Sequence, residues 1–109
     1  MREAANRLSE AMNALAWSAP DRPVIQNVDA EVHDSVQAIR DALVRQLYLP
    51  VQWTGCVHAL AARGATRIAE CGPGKVLAGL AKRIDKTLDA RAIGTPAELD
   101  SALTDWSKA

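Results

Sequence analysis

The sequence has no phenylalanine, one tyrosine and three tryptophans. A core made almost without rings must be built from aliphatic side chains and alanine, which favours closely packed helices. Cysteine is scarce as well. Cys56 and Cys71 are the only two, and they lack metal-knuckle spacing. This excludes a disulfide-rich secreted scaffold and fits a reducing cytoplasm in which both remain thiols. No stretch approaches the ~18 apolar residues of a membrane span. The opening residues, Met1 to Arg7, have no apolar segment behind their charges, so no secretory signal is read. Thirteen basic and thirteen acidic residues cancel, so net charge implies neither a nucleic acid nor an anionic membrane as partner. Gly-x-Ser-x-Gly is absent, and so are the phosphate-loop and dinucleotide glycine patterns. No His/Cys/Asp/Glu group has metal spacing. These residues call for no cofactor or metal and carry no self-sufficient active site.

What is present is globular. The chain has 109 residues, 49% hydrophobic and 24% charged, which fits one small domain over residues 1–109. It is organised around Thr66 to Ile84. Thr66–Cys71 reads as a short buried strand, Gly72-Pro73-Gly74 as a turn, and Val76, Leu77, Leu80 and Ile84 as the apolar stripe of a helix. Lys75, Lys82 and Arg83 then face water. Strand, tight turn and helix together form the unit of α/β folds.

The remaining elements follow from spacing. Glu3–Trp17 is an amphipathic helix with Ala4, Leu8, Met12 and Leu15 on one stripe and Ala5 and Ala11 beside it. It begins without a capping residue, so sequence is expected upstream of Met1. Val24–Val28 reads as a strand ending in a polar loop. Asp34 or Ser35 caps a second helix with Val36, Ile39, Leu43 and Leu47 on its stripe, ending near Tyr48. Pro50 is placed in the first turn of a third helix, which Gly64 closes. Asp89–Ile93 is a further strand. Thr95-Pro96-Ala97-Glu98 is a capping box for a last helix, whose apolar face is Leu99, Leu103 and Trp106. The order α-β-α-α-β-α-β-α predicts a narrow parallel sheet flanked by helices, with open edges that need more strands or a cover.

Local chemistry is sparse. Backbone amides at Gly72–Lys75 open a helix, a place that attracts anions, but Val76 stands where a phosphate loop needs Ser or Thr. A packing turn is the expectation. Cys71 ends a strand beside a helix N-terminus, where a thiol can be activated. As a nucleophile it needs His33 or His58 as base. A buried structural thiol and two unrelated histidines are the competing expectation.

Val44–Trp53, Glu70–Leu77, Arg22–Asp29 and Ile39–Tyr48, in that order and spacing, carry a resemblance. The chain resembles the C-terminal part of malonyl-CoA:acyl carrier protein transacylase over essentially all 109 residues. The resemblance implies the C-terminal part of an α/β-hydrolase-like acyltransferase core. It implies transfer of malonyl from malonyl-CoA to the phosphopantetheine thiol of acyl carrier protein, in fatty acid biosynthesis and in the cytoplasm. It also implies that the nucleophilic Ser, the base His and the carboxylate-binding Arg lie upstream of Met1, so that this chain alone is inactive. Gln46 matches the residue whose main-chain carbonyl orients that His. Val76 is similar to a residue near the acyl pocket, and Asn27 falls at a strand end beside the same cleft. Lys75, Lys82 and Arg83 become a surface for the acidic carrier protein, against the plainer alternative of a solvated helix face. A non-catalytic module that binds acyl carrier protein, a polyketide-synthase-type acyltransferase fragment and a Cys71-based enzyme are the alternatives.

Overall fold

The structure is a computed structural model that describes residues 2–107. It is α/β, with the element order α1 (Arg2–Asn13), α2 (Val36–Arg45), α3 (Trp53–Ala62), β1 (Arg67–Cys71), α4 (Val76–Ile84), β2 (Asp89–Ile93) and α5 (Pro96–Trp106). The chain divides into two compact units, one up to Ala59 and one from Leu60 on. No helix among the described residues is long and apolar enough to cross a membrane.

In the first unit α1 packs on α2. Ala5 and Met12 are the buried residues of α1, and Ala42 is that of α2. Leu15, placed on the stripe by its spacing, is 63% exposed. The reason is that α1 stops at Asn13, four residues before the predicted end. Ala14 and Leu15 turn back through short N–H bonds to Ala11 and Met12, and the Trp17 indole donates to the Met12 carbonyl at 3.0 Å. A side chain therefore closes the helix end. Ser35 caps α2 as expected, accepting from the Ala38 amide. Pro50 lies ahead of α3 and not within its first turn.

Val24–Val28 is not a strand. Only Ile25 and Val32 form an isolated antiparallel bridge. The chain reverses at once: the Gln26 amide donates to the Glu31 carbonyl and the Ala30 amide to the Gln26 carbonyl, each at 2.9 Å. Ala30 takes a positive φ of 57° to close this loop. A run that folds back after two residues cannot lie along a sheet, so among the described residues the sheet has two strands and not three.

The second unit opens on the end of α3. Gly64 takes φ 94°, and its amide bonds Ala61 while that of Ala65 bonds Leu60. This is the paired bonding of a Schellman cap, which a glycine makes without steric cost. β1 and β2 then pair in parallel, Arg67 opposite Asp89 through to Cys71 opposite Ile93, joined by α4. Contact between helix and sheet is made by small residues. Ala78, Ala81 and Ala90 are at most 5% exposed. The expected stripe of α4 points elsewhere: Val76, Leu77 and Leu80 are 71%, 42% and 37% exposed. In α5 Ala102 is buried, while Leu99 and Leu103 are exposed. A helix that approaches a sheet through alanine comes close, and its branched side chains remain outside. β1 is likewise not the buried strand its sequence predicts, because its residues alternate exposed and half-buried.

α5 covers the other face of β2. The Arg91 guanidinium bonds Asp89 and Asp105, the Trp106 indole donates to Asp89 at 2.9 Å, and Arg67 and Arg91 stand over the Trp106 ring. Hydrogen bonds from Arg91 and Trp106 hold the Asp89 carboxyl below its ordinary value.

Two glycines report on this packing. A Cβ at Gly94 would sit 2.5 Å from the Gly72 carbonyl oxygen, whereas one at Gly79, inside α4, meets nothing within 4 Å. Gly94→Ala should destabilise the chain by about 1–3 kcal/mol. Gly79→Ala should stabilise it by about 0.5–1 kcal/mol. Urea unfolding followed by far-UV circular dichroism measures both, and the signs must be opposite.

Candidate functional site

The end of α2 holds Gln46, the site residue expected in this helix. Gln46 is the C-terminal cap of α2, half-buried, with its own amide bonded to Ala42. In a continuing helix its carbonyl would accept from the residue four positions on. That residue is Pro50, which has no N–H. The Leu49 amide bonds Arg45 instead. Among the described residues no donor meets the Gln46 carbonyl oxygen, so sequence and geometry together leave a main-chain acceptor unpaired at a helix end.

Arg45, next in the chain, ties this helix end to the loop that carries Asn27. Its Nη2 lies 3.5 Å from Asp29 Oδ2. The same oxygen meets His33 Nε2 at 2.8 Å, and Asp29 Oδ1 accepts from the Glu31 amide at 3.1 Å. Burial pushes the Asp29 carboxyl up, but the His33 and Glu31 hydrogen bonds and the charges of His33 and Arg45 outweigh it and hold the carboxyl below its ordinary value. Asn27 is half-buried. Its carbonyl accepts from the Gln52 amide at 2.7 Å, and its side-chain oxygen is 4.0 Å from Cys56 Sγ. The loop of Asn27 is thus bonded to the chain entering α3 and ion-paired to the end of α2. Sequence reasoning passed over Asp29 and Arg45 and weighed His33 only as a base for Cys71. The four-residue spacing of Asp29 and His33 is a signal only once the loop is known to turn there.

Asp29, Glu31 and His33 also bring potential metal donors within 4.8 Å of one another, although their spacing had read as no metal site. Asp29 is already engaged by a histidine, an amide and a guanidinium, so hydrogen bonds and an ion pair within the chain account for its position. A separate cavity of about 270 Å³ is lined by Trp17, Val24, Val36, Ile39 and Leu43, with Gln26 as its amide. No predicted site residue lines it.

Val76 is the first residue of α4, in the second unit, with its side chain in solvent. The turn before it does not offer an open anion site. Glu70, from β1, accepts from the Ala78 amide at 2.9 Å, so a carboxylate of the chain itself already occupies the positive end of the helix. The packing-turn expectation is the one that fits. Lys75, Lys82 and Arg83 are exposed, the last two in the final turn of α4, where cations suit the helix dipole. Cys71 is not the buried structural thiol that its sequence suggests. Cys71 is exposed and Cys56 is the buried one, its pKa raised by burial and by the Asp29 charge. His58 is exposed on α3.

The Asp29 cluster has a pH signature. A carboxyl depressed by folding adds stability that is present above its ordinary value, near 3.8, and is lost as pH falls through its folded value. Asp29→Asn should therefore cost about 1–2 kcal/mol at pH 7. It should also remove part of the steepening of acid unfolding below that value, which urea titrations at stepped pH will show.

No family-level sequence model matches the chain. Relatives are nevertheless clear. The chain is 52% identical over 104 residues to the malonyl CoA-acyl carrier protein transacylase of Salmonella typhimurium, covering 95% of this chain and 34% of that protein. With the transacylase of Escherichia coli K12 the identity is 48%, over 94% of this chain and 33% of the relative. Among solved structures, malonyl-CoA:acyl carrier protein transacylase from Xanthomonas oryzae pv. oryzae superposes with a TM-score of 0.92 at 70% identity, covering 97% of this chain and 34% of that one. A malonyl transacylase in complex with its type II polyketide synthase acyl carrier protein gives 0.89 at 44% identity, covering 96% and 34%. The chain spans about a third of the length of the relatives it matches.

Proposed function

The chain is a homologue of the C-terminal part of malonyl CoA-acyl carrier protein transacylases, and from that premise we propose that it is one portion of an acyltransferase active in fatty acid biosynthesis. The reaction moves malonyl from malonyl-CoA to the phosphopantetheine thiol of acyl carrier protein. A serine hydroxyl gives its proton to a histidine and attacks the thioester carbonyl, and the CoA thiol leaves with that proton. The carrier thiol then attacks the seryl ester and the serine is regenerated. In this reading the serine, the histidine and the guanidinium that holds the malonyl carboxylate come from polypeptide outside this chain. Of the chain's own histidines, His58 stands in solvent, and His33, although held by Asp29 as a base would be, has no hydroxyl or thiol bonded to its ring among the described residues.

The observation that carries the proposal is the unpaired Gln46 carbonyl. An imidazole that acts as base at one nitrogen needs its other N–H held, and a main-chain oxygen does this as a carboxylate does in a triad. Pro50 keeps that oxygen from an intrahelical partner. Gln46 is then a positioning residue whose side chain is dispensable. Val76 and Asn27 are assigned to the acyl-binding cleft. The whole of residues 1–109 is assigned to the large domain of the acyltransferase.

Exposure of Lys75, Lys82 and Arg83 favours a second reading beside the first, in which α4 meets the acidic acyl carrier protein whether or not the chain takes part in catalysis. Lys82→Glu with Arg83→Glu should weaken carrier binding about tenfold at low salt. An unchanged calorimetric titration would assign both residues to a solvated helix face.

The catalytic proposal is tested by malonyl transfer to acyl carrier protein. The purified chain should show none. A transacylase reconstituted with this chain should show transfer, and Gln46→Ala in that enzyme should keep it within about threefold, because the contact is main-chain. Transfer by the isolated chain would refute the division of the active site.

A further inference from the structure

The stretch that carries the Gln46 carbonyl is tied at both ends to one loop. At its start, Arg45 Nη2 reaches Asp29 Oδ2 at 3.5 Å. At its end, the Gln52 amide donates to the Asn27 carbonyl at 2.7 Å. Residues 46–51 between these ties belong to neither α2 nor α3, so no regular helix sets their direction.

The loop itself is stiff. Its amides at Gln26 and Ala30 are bonded within it, each at 2.9 Å, and Ala30 is fixed at a positive φ. Asp29 accepts from the Glu31 amide and meets the His33 ring. The loop is also seated on α3. A Cβ at Gly55 would lie 3.0 Å from Ala30 Cβ, so a glycine lets the helix come this close. Cys56 Sγ, one residue on, donates to the Gln26 carbonyl at 3.7 Å.

The pair of Arg45 and Asp29 is a weak device for stability. Their side chains are 38% and 22% exposed, and an ion pair open to water contributes little. What it fixes is direction. Arg45 is the last residue of α2 and shares a peptide bond with Gln46, whose carbonyl Pro50 leaves without an intrahelical donor. A helix end is free to fray, and fraying here would swing that oxygen.

We propose that Asp29 and Arg45 are positioning residues of the transfer reaction, whose ion pair seats the end of α2 on the 26–33 loop and so aims the Gln46 carbonyl at the imidazole it orients. The inference rests on reading the chain as an acyltransferase portion. Neither residue meets the substrate. Asp29 acts through Arg45, and Arg45 acts through the peptide it shares with Gln46. The same loop carries Asn27, so one element sets both the support of the base and one wall of the acyl cleft.

The test is kinetic, in a transacylase reconstituted with this chain. Arg45→Met should lower kcat about tenfold, because small misplacements of a catalytic group are costly. KM for malonyl-CoA should stay within about twofold, since no substrate contact is removed. Asp29→Asn should lower kcat as well, and the double variant should lose no more than Arg45→Met alone, because both changes remove one contact. A single nitrogen of Arg45 meets Asp29, so Arg45→Lys, which keeps a cation there, should recover most of kcat. Thr95→Ala removes the cap of α5 in the second unit. It lowers stability and should leave kcat unchanged. A readout free of catalysis uses the isolated chain. The Leu49 amide, bonded to the Arg45 carbonyl, should exchange several-fold faster in Arg45→Met than in Arg45→Lys. Unaltered kcat in Arg45→Met, additive losses in the double variant, a lysine variant as slow as the methionine one, or equal Leu49 exchange in the two would each overturn the proposal. Absence of transfer by the reconstituted wild type would instead refute the catalytic reading, and the positioning role with it.

Discussion

The structure depends on alanine as its contact residue. Ala42 between the first two helices, Ala78 and Ala81 on α4, Ala90 in β2 and Ala102 on α5 are all nearly or wholly buried. The largest side chain that is fully buried is Val57. Small residues let elements approach closely and lose little side-chain entropy when ordered. Each also buries little apolar area, at ~25 cal/mol per Å². A core of this kind holds geometry without supplying much stability, and its large aliphatic residues are left over for surfaces elsewhere.

The same economy shapes the end of α2 in the first unit. Pro50 stops α2 from consuming the Gln46 carbonyl, and the Asp29 carboxylate grips Arg45 beside it. A backbone acceptor is thereby held in place by an ion pair and left without a donor by a proline. In the second unit Glu70 fills the positive end of α4, which makes the glycine turn a structural hinge point between strand and helix. In the proposed reading, binding chemistry is thus concentrated at backbone groups and at surfaces of the described residues.

Much of this was legible in the sequence where local rules govern. The Thr95–Glu98 box, the Ser35 cap, the Gly64 stop and the β1–turn–α4 unit follow from short-range hydrogen bonding, and the structure bears them out. Periodicity failed where it had to choose between two stripes. Leu77 and Leu80 were taken as the core face of α4 because hydrophobicity ranks them above Ala78 and Ala81, yet close approach to the sheet selected the alanines. Val24–Val28 looked like a strand by composition, but the Gln26–Glu31 reversal is a tertiary choice that no residue in it announces. Cys71, expected to be buried, is exposed for the same reason. Asp29, His33 and Arg45 were invisible as a group, because the pairing of Asp29 with Arg45 spans a loop and a helix.

The central structural claim is that one edge of β1 is unpaired among the described residues. Amide hydrogen exchange along β1 tests it most directly. In the isolated chain the amides of Arg67, Ala69 and Cys71 should exchange freely while that of Gly72, bonded to Ile93, is protected. Protection of all four in the isolated, monomeric chain would contradict the account, since it would mean that the β1 edge is already covered.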